Sequence, residues 1–283
     1  DYWTSVLSAR AGLWSPAWFR SSLAHASDLM AHRSGRSWRS LQDTADAAQL
    51  AWEGSHGWYN WRRSADYYPE GQLLWLDVDT TIRQLSHGRR SLDDFARAFF
   101  GMRAAVGESR PYSFDQLVAA LNRVQANDWA DFLRRRLDYT GDELPYHGLR
   151  RAGWKRVYRD QPGERDQDMR SLGHGLNLAA SLGLSVSAKG SVRDVQWNGP
   201  ASAAGLVPGM RIIAVNGRDF SMDVLTDAIT GAASHSKNIA LLVRNQDVYR
   251  TLQVNYHGGL RYAHLQRIKG RPDLLADIIK PRP

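Results

Sequence analysis

The stretch Gln72–Leu85 restricts the possible folds of this chain more than any other. Leu74, Val78, Ile82 and Leu85 recur at helical spacing, and Leu73, Trp75 and Leu76 widen the apolar face over the first turns. A helix that is apolar around most of its circumference must be covered on most sides, so the rest of the chain has to wrap it. Gly71 interrupts the pattern in front of it and Gly88 stands just past its end. Asp79 and Arg83, four residues apart, are expected to pair on the remaining edge for a few tenths of a kcal/mol. Ser91, with Asp94 three residues on, reads as a capping box that opens the next helix. Tyr67 and Tyr68 fall at the entrance of the buried helix, a position suited to holding a phenol still.

Helical periodicity covers the chain up to about residue 140. Tyr2, Val6 and Leu7 begin one face. Ser15 and Pro16 open a second helix carried by Leu23, Leu29 and Met30, and Ser40 opens a third that runs to about Trp52. Ser113 and Asp128 cap two more, with Gly141 closing the series. His25 and His32 lie seven apart, but no third ligand stands nearby, so they read as surface histidines. Between Glu53 and Arg63, Trp52, Trp58, Tyr59 and Trp61 crowd a segment that carries Gly54 and Gly57. These rings either line a cleft or form a small cluster under a loop.

At Trp154 the period changes to strand alternation. Strands are expected at 154–159, 182–186 and 191–195, with a loop over 161–170. A helix follows Ser221 to about Ile229, and 239–243 and 248–254 form a hairpin. At roughly 100–200 residues per domain, 283 residues suggest two domains. The formal charge of +8 could point to nucleic acid, but the basic residues are scattered and no RNA- or DNA-binding motif is present, so nucleic acid is not an expected partner. No apolar run reaches the ~18 residues of a membrane span. With no cysteine, disulfides and thiolate metal sites are excluded. Asp1–Leu7 enters in the middle of a helical pattern, which suggests a fragment whose beginning has been removed.

The second half resembles a PDZ domain. The resemblance rests on Gly199-Pro200-Ala201, Ala204-Gly205-Leu206, Pro208-Gly209 and Ile213-Ala214-Val215-Asn216-Gly217. In that family a Gly-Leu-Gly-Phe-like loop binds a peptide C-terminal carboxylate through backbone N–H groups. Here Ser181, Leu182, Gly183 and Leu184 stand in its place. The resemblance implies that a peptide adds as a strand between the second strand and the helix after Ser221, with Met222, Thr226 and Ile229 lining the groove.

The first half and the tail are similar to the C-terminal part of a glycyl aminopeptidase-type zinc metallopeptidase, a family that joins a thermolysin-like catalytic domain to a PDZ domain. The matching residues are Trp61–Ser64, Asp66–Gly71, Leu76–Asp79, Ser91–Phe95 and Tyr256–Tyr262. Such enzymes bind zinc through a His-Glu-x-x-His helix and a later glutamate, and none of the nine histidines begins that motif. The zinc site is therefore expected in an upstream catalytic lobe that this chain lacks, with no metal or cofactor held by the fragment itself. In related aminopeptidases a tyrosine three residues before a glycine donates a hydrogen bond to the tetrahedral oxyanion. Tyr68 has that spacing to Gly71, with Tyr67 as the second candidate, and Glu70 could bind a substrate amine.

The expected architecture is multidomain α+β: a helical subdomain of a thermolysin-like peptidase, followed by a β-rich PDZ domain. The expected boundaries are 1–140 for the helical part and 141–171 for a connector with the first PDZ strand. The PDZ domain proper then covers 172–257 and a C-terminal tail 258–283. The expected function is that of a C-terminal fragment of a zinc-dependent aminopeptidase, inactive alone, with peptides or protein C-termini as partners. The alternative is a non-catalytic peptide-binding or scaffolding module on a helical support. The resemblance also implies exported bacterial relatives and a periplasmic setting.

Overall fold

The computed structural model describes residues 1–53, 57–101, 111–235 and 237–281. The helical half opens with α1 (Tyr2–Arg10) and α2 (Pro16–Ala31). A 3-10 turn over Ser34–Ser37, α3 (Leu41–Asp46), α4 (Ala48–Glu53) and α5 (Tyr59–Arg62) lead to α6 (Tyr67–Leu85). Four further helices follow: α7 (Leu92–Phe100), α8 (Phe114–Val124), α9 (Trp129–Leu137) and α10 (Gly148–Arg151). The second half contains β1 (Trp154–Arg159), α11 (Glu164–Ser171), β2 (Leu176–Leu178), β3 (Leu184–Val186), β4 (Val192–Val195) and α12 (Pro200–Ala203). It continues through β5 (Arg211–Val215), β6 (Arg218–Asp219), α13 (Met222–His235), β7 (Ile239–Asn245) and β8 (Val248–Val254) to β9 (Tyr262–Arg267) and α14 (Leu274–Ile279).

α6 is the central helix of the first half. Leu74, Leu76, Val78 and Ile82 are buried in one cluster with Tyr2 and Val6 of α1, Phe19 and Leu23 of α2, Phe95 of α7 and Trp129 of α9. The helix begins at Tyr67, five residues before the expected start. Gly71 does not interrupt it, because one helical glycine costs only ~1 kcal/mol against the burial of a whole face. Leu7 and Leu85 are exposed, so both lie off the faces expected to hold them. Ser15, Ser113 and Asp128 accept the backbone N–H three residues on, as true N-caps do, and Ser91 with Asp94 forms the full capping box.

Asp79 and Arg83 do pair, at 3.1 Å, but in the interior and not on a surface edge. Asp79 also accepts from the Tyr2 hydroxyl at 2.7 Å and from the Leu92 backbone N–H at 2.7 Å. Burial first, and then the Asp79 charge, push the Tyr2 hydroxyl pKa well above its ordinary value. Two residues earlier, the fully buried Asp77 takes Arg136 at 2.6 Å and Arg151 at 2.5 Å. Gly148 lets α10 lie directly on α6 here, since a Cβ would stand 2.9 Å from the Asp77 nitrogen.

The second half has its own core, built around Leu182, Val195, Ile212, Leu225, Ile229 and Leu241. Its sheets run β2-β3-β4 and β6-β5-β7-β8. Asn216 and Gly217, at φ 49° and 79°, make the tight turn between β5 and β6. Two segments depart from the expected boundaries. β1 joins neither of these sheets, but pairs antiparallel with β9 from Trp154↔Arg267 to Arg159↔Tyr262. Beyond residue 258, β9 completes that ribbon, and α14 sends Leu275, Ile278 and Ile279 into the core around α6. Residues 164–171 form α11 where a loop was expected.

Candidate functional site

Tyr67 and Tyr68 occupy the first turn of α6. Pro69 follows at no cost in hydrogen bonds, because the first four N–H groups of a helix have no intrahelical acceptor. What fixes this turn is a buried ionic network. The Asp66 side chain makes no cap and instead takes Arg33 at 3.1 Å and Arg63 at 3.0 Å. Glu70 takes Arg36 at 3.2 Å and also contacts Arg63. Asp194 of β4 takes Arg33 at 3.3 Å, so three guanidiniums balance three carboxylates. Most of these groups are almost wholly out of water, where ions are tolerated only when paired and hydrogen-bonded.

Two backbone features let the network close. Arg63 adopts φ 57°, turning the chain sharply between α5 and α6. Gly35 allows the 3-10 turn to reach that corner, because a Cβ there would stand 2.3 Å from the Trp61 carbonyl oxygen.

Glu70 is 1% exposed and bound to two arginines, so it cannot receive a substrate amine; its role is structural. Tyr68 is the opposite case. It is 51% exposed, and among the described residues its hydroxyl makes no hydrogen bond. Tyr67 is half-buried and packs against it, with ring centroids 4.8 Å apart and planes at 51°. The arrangement is an exposed phenol on a rigid mount, able to donate to an acceptor arriving from outside.

The aromatic segment also serves the junction between the halves. Trp58 and Trp61 meet Trp197 at 6.0 and 5.4 Å between centroids. The Asn60 backbone N–H donates to Asp194 at 3.0 Å, and the Trp197 backbone N–H donates to the Asn60 side-chain oxygen at 3.2 Å. Gly54 lies outside the described residues.

The expected peptide groove is closed from within. β3 is paired on both edges, with β2 on one side and β4 on the other, so no edge of β3 is left for an incoming strand. The N–H groups of Ser181 and Gly183, which a carboxylate would need, both donate to the Leu178 carbonyl at 3.0 Å. Leu182, Leu184, Thr226 and Ile229 are buried, and Met222 packs half-buried against the same core. The Ser181 hydroxyl accepts from the Arg261 N–H at 3.0 Å. The only sequence signal for β2 was the short alternation Leu176-Asn177-Leu178, too brief to stand out.

The two histidines are not surface residues. His32 lies 3.2 Å from Asp28, and their hydrogen bonds outweigh burial to raise the pKa of the ring. His25 lies 3.6 Å from Asp166, and burial, aided by Arg165, drives its pKa down to about 3. It is therefore neutral, and its contact with Asp166 is not an ion pair. Among the described residues no group of three or more His, Cys, Asp or Glu side chains could hold a metal ion, so these residues do not fit a zinc site. Among them, too, no helix is long and apolar enough to cross a membrane.

None of the curated proteins matches the chain. Among solved structures, the chain is similar to the crystal structure of an aminopeptidase N family protein from Idiomarina loihiensis, at 17% identity and a TM-score of 0.64. The match covers 99% of this chain and 47% of that one, so the chain has this fold and spans about half the length of the relative. Residues 1–74, which include both tyrosines and the whole ionic network except Asp194, match the model of the M61 glycyl aminopeptidase family.

Proposed function

We propose that the chain is the C-terminal part of a zinc-dependent aminopeptidase, with Tyr68 as the donor that steadies the oxyanion of the tetrahedral intermediate. The observation that carries this reading is the half-exposed Tyr68 hydroxyl, without a hydrogen bond among the described residues, on a helix turn locked by Arg33, Arg36 and Arg63. The family match across this turn supports it. Zinc, which in such enzymes activates the attacking water, would be held by residues outside this chain. What Tyr68 does is donate its hydroxyl proton in a hydrogen bond to the oxygen that gains charge as the peptide carbonyl is attacked. A preorganised donor of this kind needs no reorientation at the moment of reaction. Tyr67 braces the ring of Tyr68.

The β-rich half, on this reading, is a PDZ-like unit whose ligand strand is its own β2. A peptide C-terminus would have to displace Leu176–Leu178 to enter. That disfavours the alternative of a free peptide-binding module.

The test is to restore the natural upstream sequence and compare Tyr68→Phe with Tyr67→Phe. Tyr68→Phe is expected to lower kcat by ~10²–10³ with a small change in KM, and Tyr67→Phe to keep most activity. Unchanged kcat in Tyr68→Phe removes the assignment. The 283-residue chain alone is expected to be inactive.

A further inference from the structure

A cavity of ≈ 510 Å³ lies at the C-terminal end of α6, the end remote from Tyr68. Arg83 and Arg151 line it from the helical half, Arg271 from the segment before α14, with His87, Pro272 and Leu274 completing the walls that matter here. Among the described residues no acidic side chain lines it. Arg83 is 6% exposed; its Nε is on Asp79, while its Nη2 has no hydrogen-bond partner among the described residues. Arg151 uses Nη1 on Asp77 and on the Thr80 hydroxyl at 3.1 Å. Arg271 is exposed, and among the described residues its side chain reaches only the Arg150 carbonyl, at 3.3 Å.

The charges do not cancel. Asp79 is engaged by Arg83, and Asp77 is shared between Arg151 and Arg136, which leaves four guanidiniums, Arg271 included, against two carboxylates, both carboxylates buried. Asp273, between the lining residues Pro272 and Leu274, accepts from Trp154 at 2.8 Å and faces Arg267 at 3.7 Å. The partial negative charge of the α6 terminus is blunted as well: the Gly88 N–H donates to the Arg83 carbonyl at 2.7 Å and the Ser86 N–H to that of Ile82 at 2.9 Å. Guanidinium forks match the geometry of phosphate and carboxylate groups, and the volume is that of a small-molecule site.

We propose that this cavity binds a small oxyanion ligand, a phosphate or carboxylate group held by Arg83, Arg151 and Arg271, with a short organic body against Pro272 and Leu274. It is independent of the aminopeptidase reading, being roughly 22 Å along α6 from Tyr68.

Isothermal titration of the 283-residue chain with inorganic phosphate, phenyl phosphate and citrate tests it. At least one probe is expected to bind saturably at one site, and the better one identifies the anionic group. Arg271→Gln, at an exposed position with a single long contact, is expected to leave folding intact and weaken binding about tenfold. Arg83→Gln is expected to weaken it further, with circular dichroism checking the fold. No saturable binding by any probe, or binding unchanged in Arg271→Gln, overturns the proposal.

Discussion

At the scale of single residues, burial decides chemistry more than residue type does. His25 lies within α2 and His32 caps its C-terminus, yet their environments send them in opposite directions. The His25 ring is desolvated and faces the Arg165 cation, so its pKa falls to about 3. Burial also pulls the His32 ring down, but the bonds from Asp28 more than reverse it. The unfolded chain protonates His25 near 6.5, so the folded state loses stability as pH falls below that value toward about 3. His32 contributes the reverse: its stabilisation is complete below 6.5 and is lost as pH rises through its raised value. NMR titration of the ring protons is expected to show His25 neutral at pH 5 and His32 still charged at pH 6.5. A His25 midpoint near 6.5 contradicts the burial argument.

At the scale of elements, α14 shows that a terminal segment can complete a distant core. Asp273 caps it by accepting the Ala276 N–H at 3.2 Å, and the Ile278 carbonyl accepts from Arg10 Nε at 2.8 Å. Ile278 is wholly buried among residues of the helical half. Ile278→Ala is expected to cost about 2–5 kcal/mol, the range for a large-to-small change in a packed core. Urea unfolding checks it through a lower midpoint at an unchanged slope. A cost under about 1 kcal/mol means that α14 is not part of this core in solution. In sequence this stretch reads only as part of a C-terminal tail, because nothing local says which core Leu274, Leu275, Ile278 and Ile279 join.

At the scale of the whole molecule, the halves meet through β9, α11 and α14, which pack on the helical half, and through a separate small polar junction. Asn60 is its centre: buried, with its side-chain N–H on the His32 carbonyl at 2.5 Å, its side-chain oxygen on the Trp197 N–H, and its own N–H on Asp194. Asn60→Ala leaves the part-buried Trp197 N–H and His32 carbonyl without these partners, at about 1 kcal/mol each. Hydrogen exchange is expected to quicken at least tenfold at residues 58–62 and 194–197, with the β7–β8 hairpin unchanged. Loss of protection spread evenly over both halves contradicts a local junction.

Much of the local structure was legible because it depends on neighbours in sequence. Caps at Ser15, Ser91, Ser113 and Asp128, the Asn216-Gly217 turn and the apolar face of α6 all follow from short-range sterics and hydrogen bonding. The tyrosine pair at the entrance of α6 was legible for the same reason, although whether the Tyr68 hydroxyl was free was not. Long-range partners decided the rest. Glu70 reads in sequence as a carboxylate that could bind a substrate amine, but Arg36 and Arg63 consume it; Leu176–Leu178 carries no strand expectation, but it fills the edge of β3. The reason is physical: a charge or a strand edge has many candidate partners of equal chemistry, and only the folded chain brings one of them within reach.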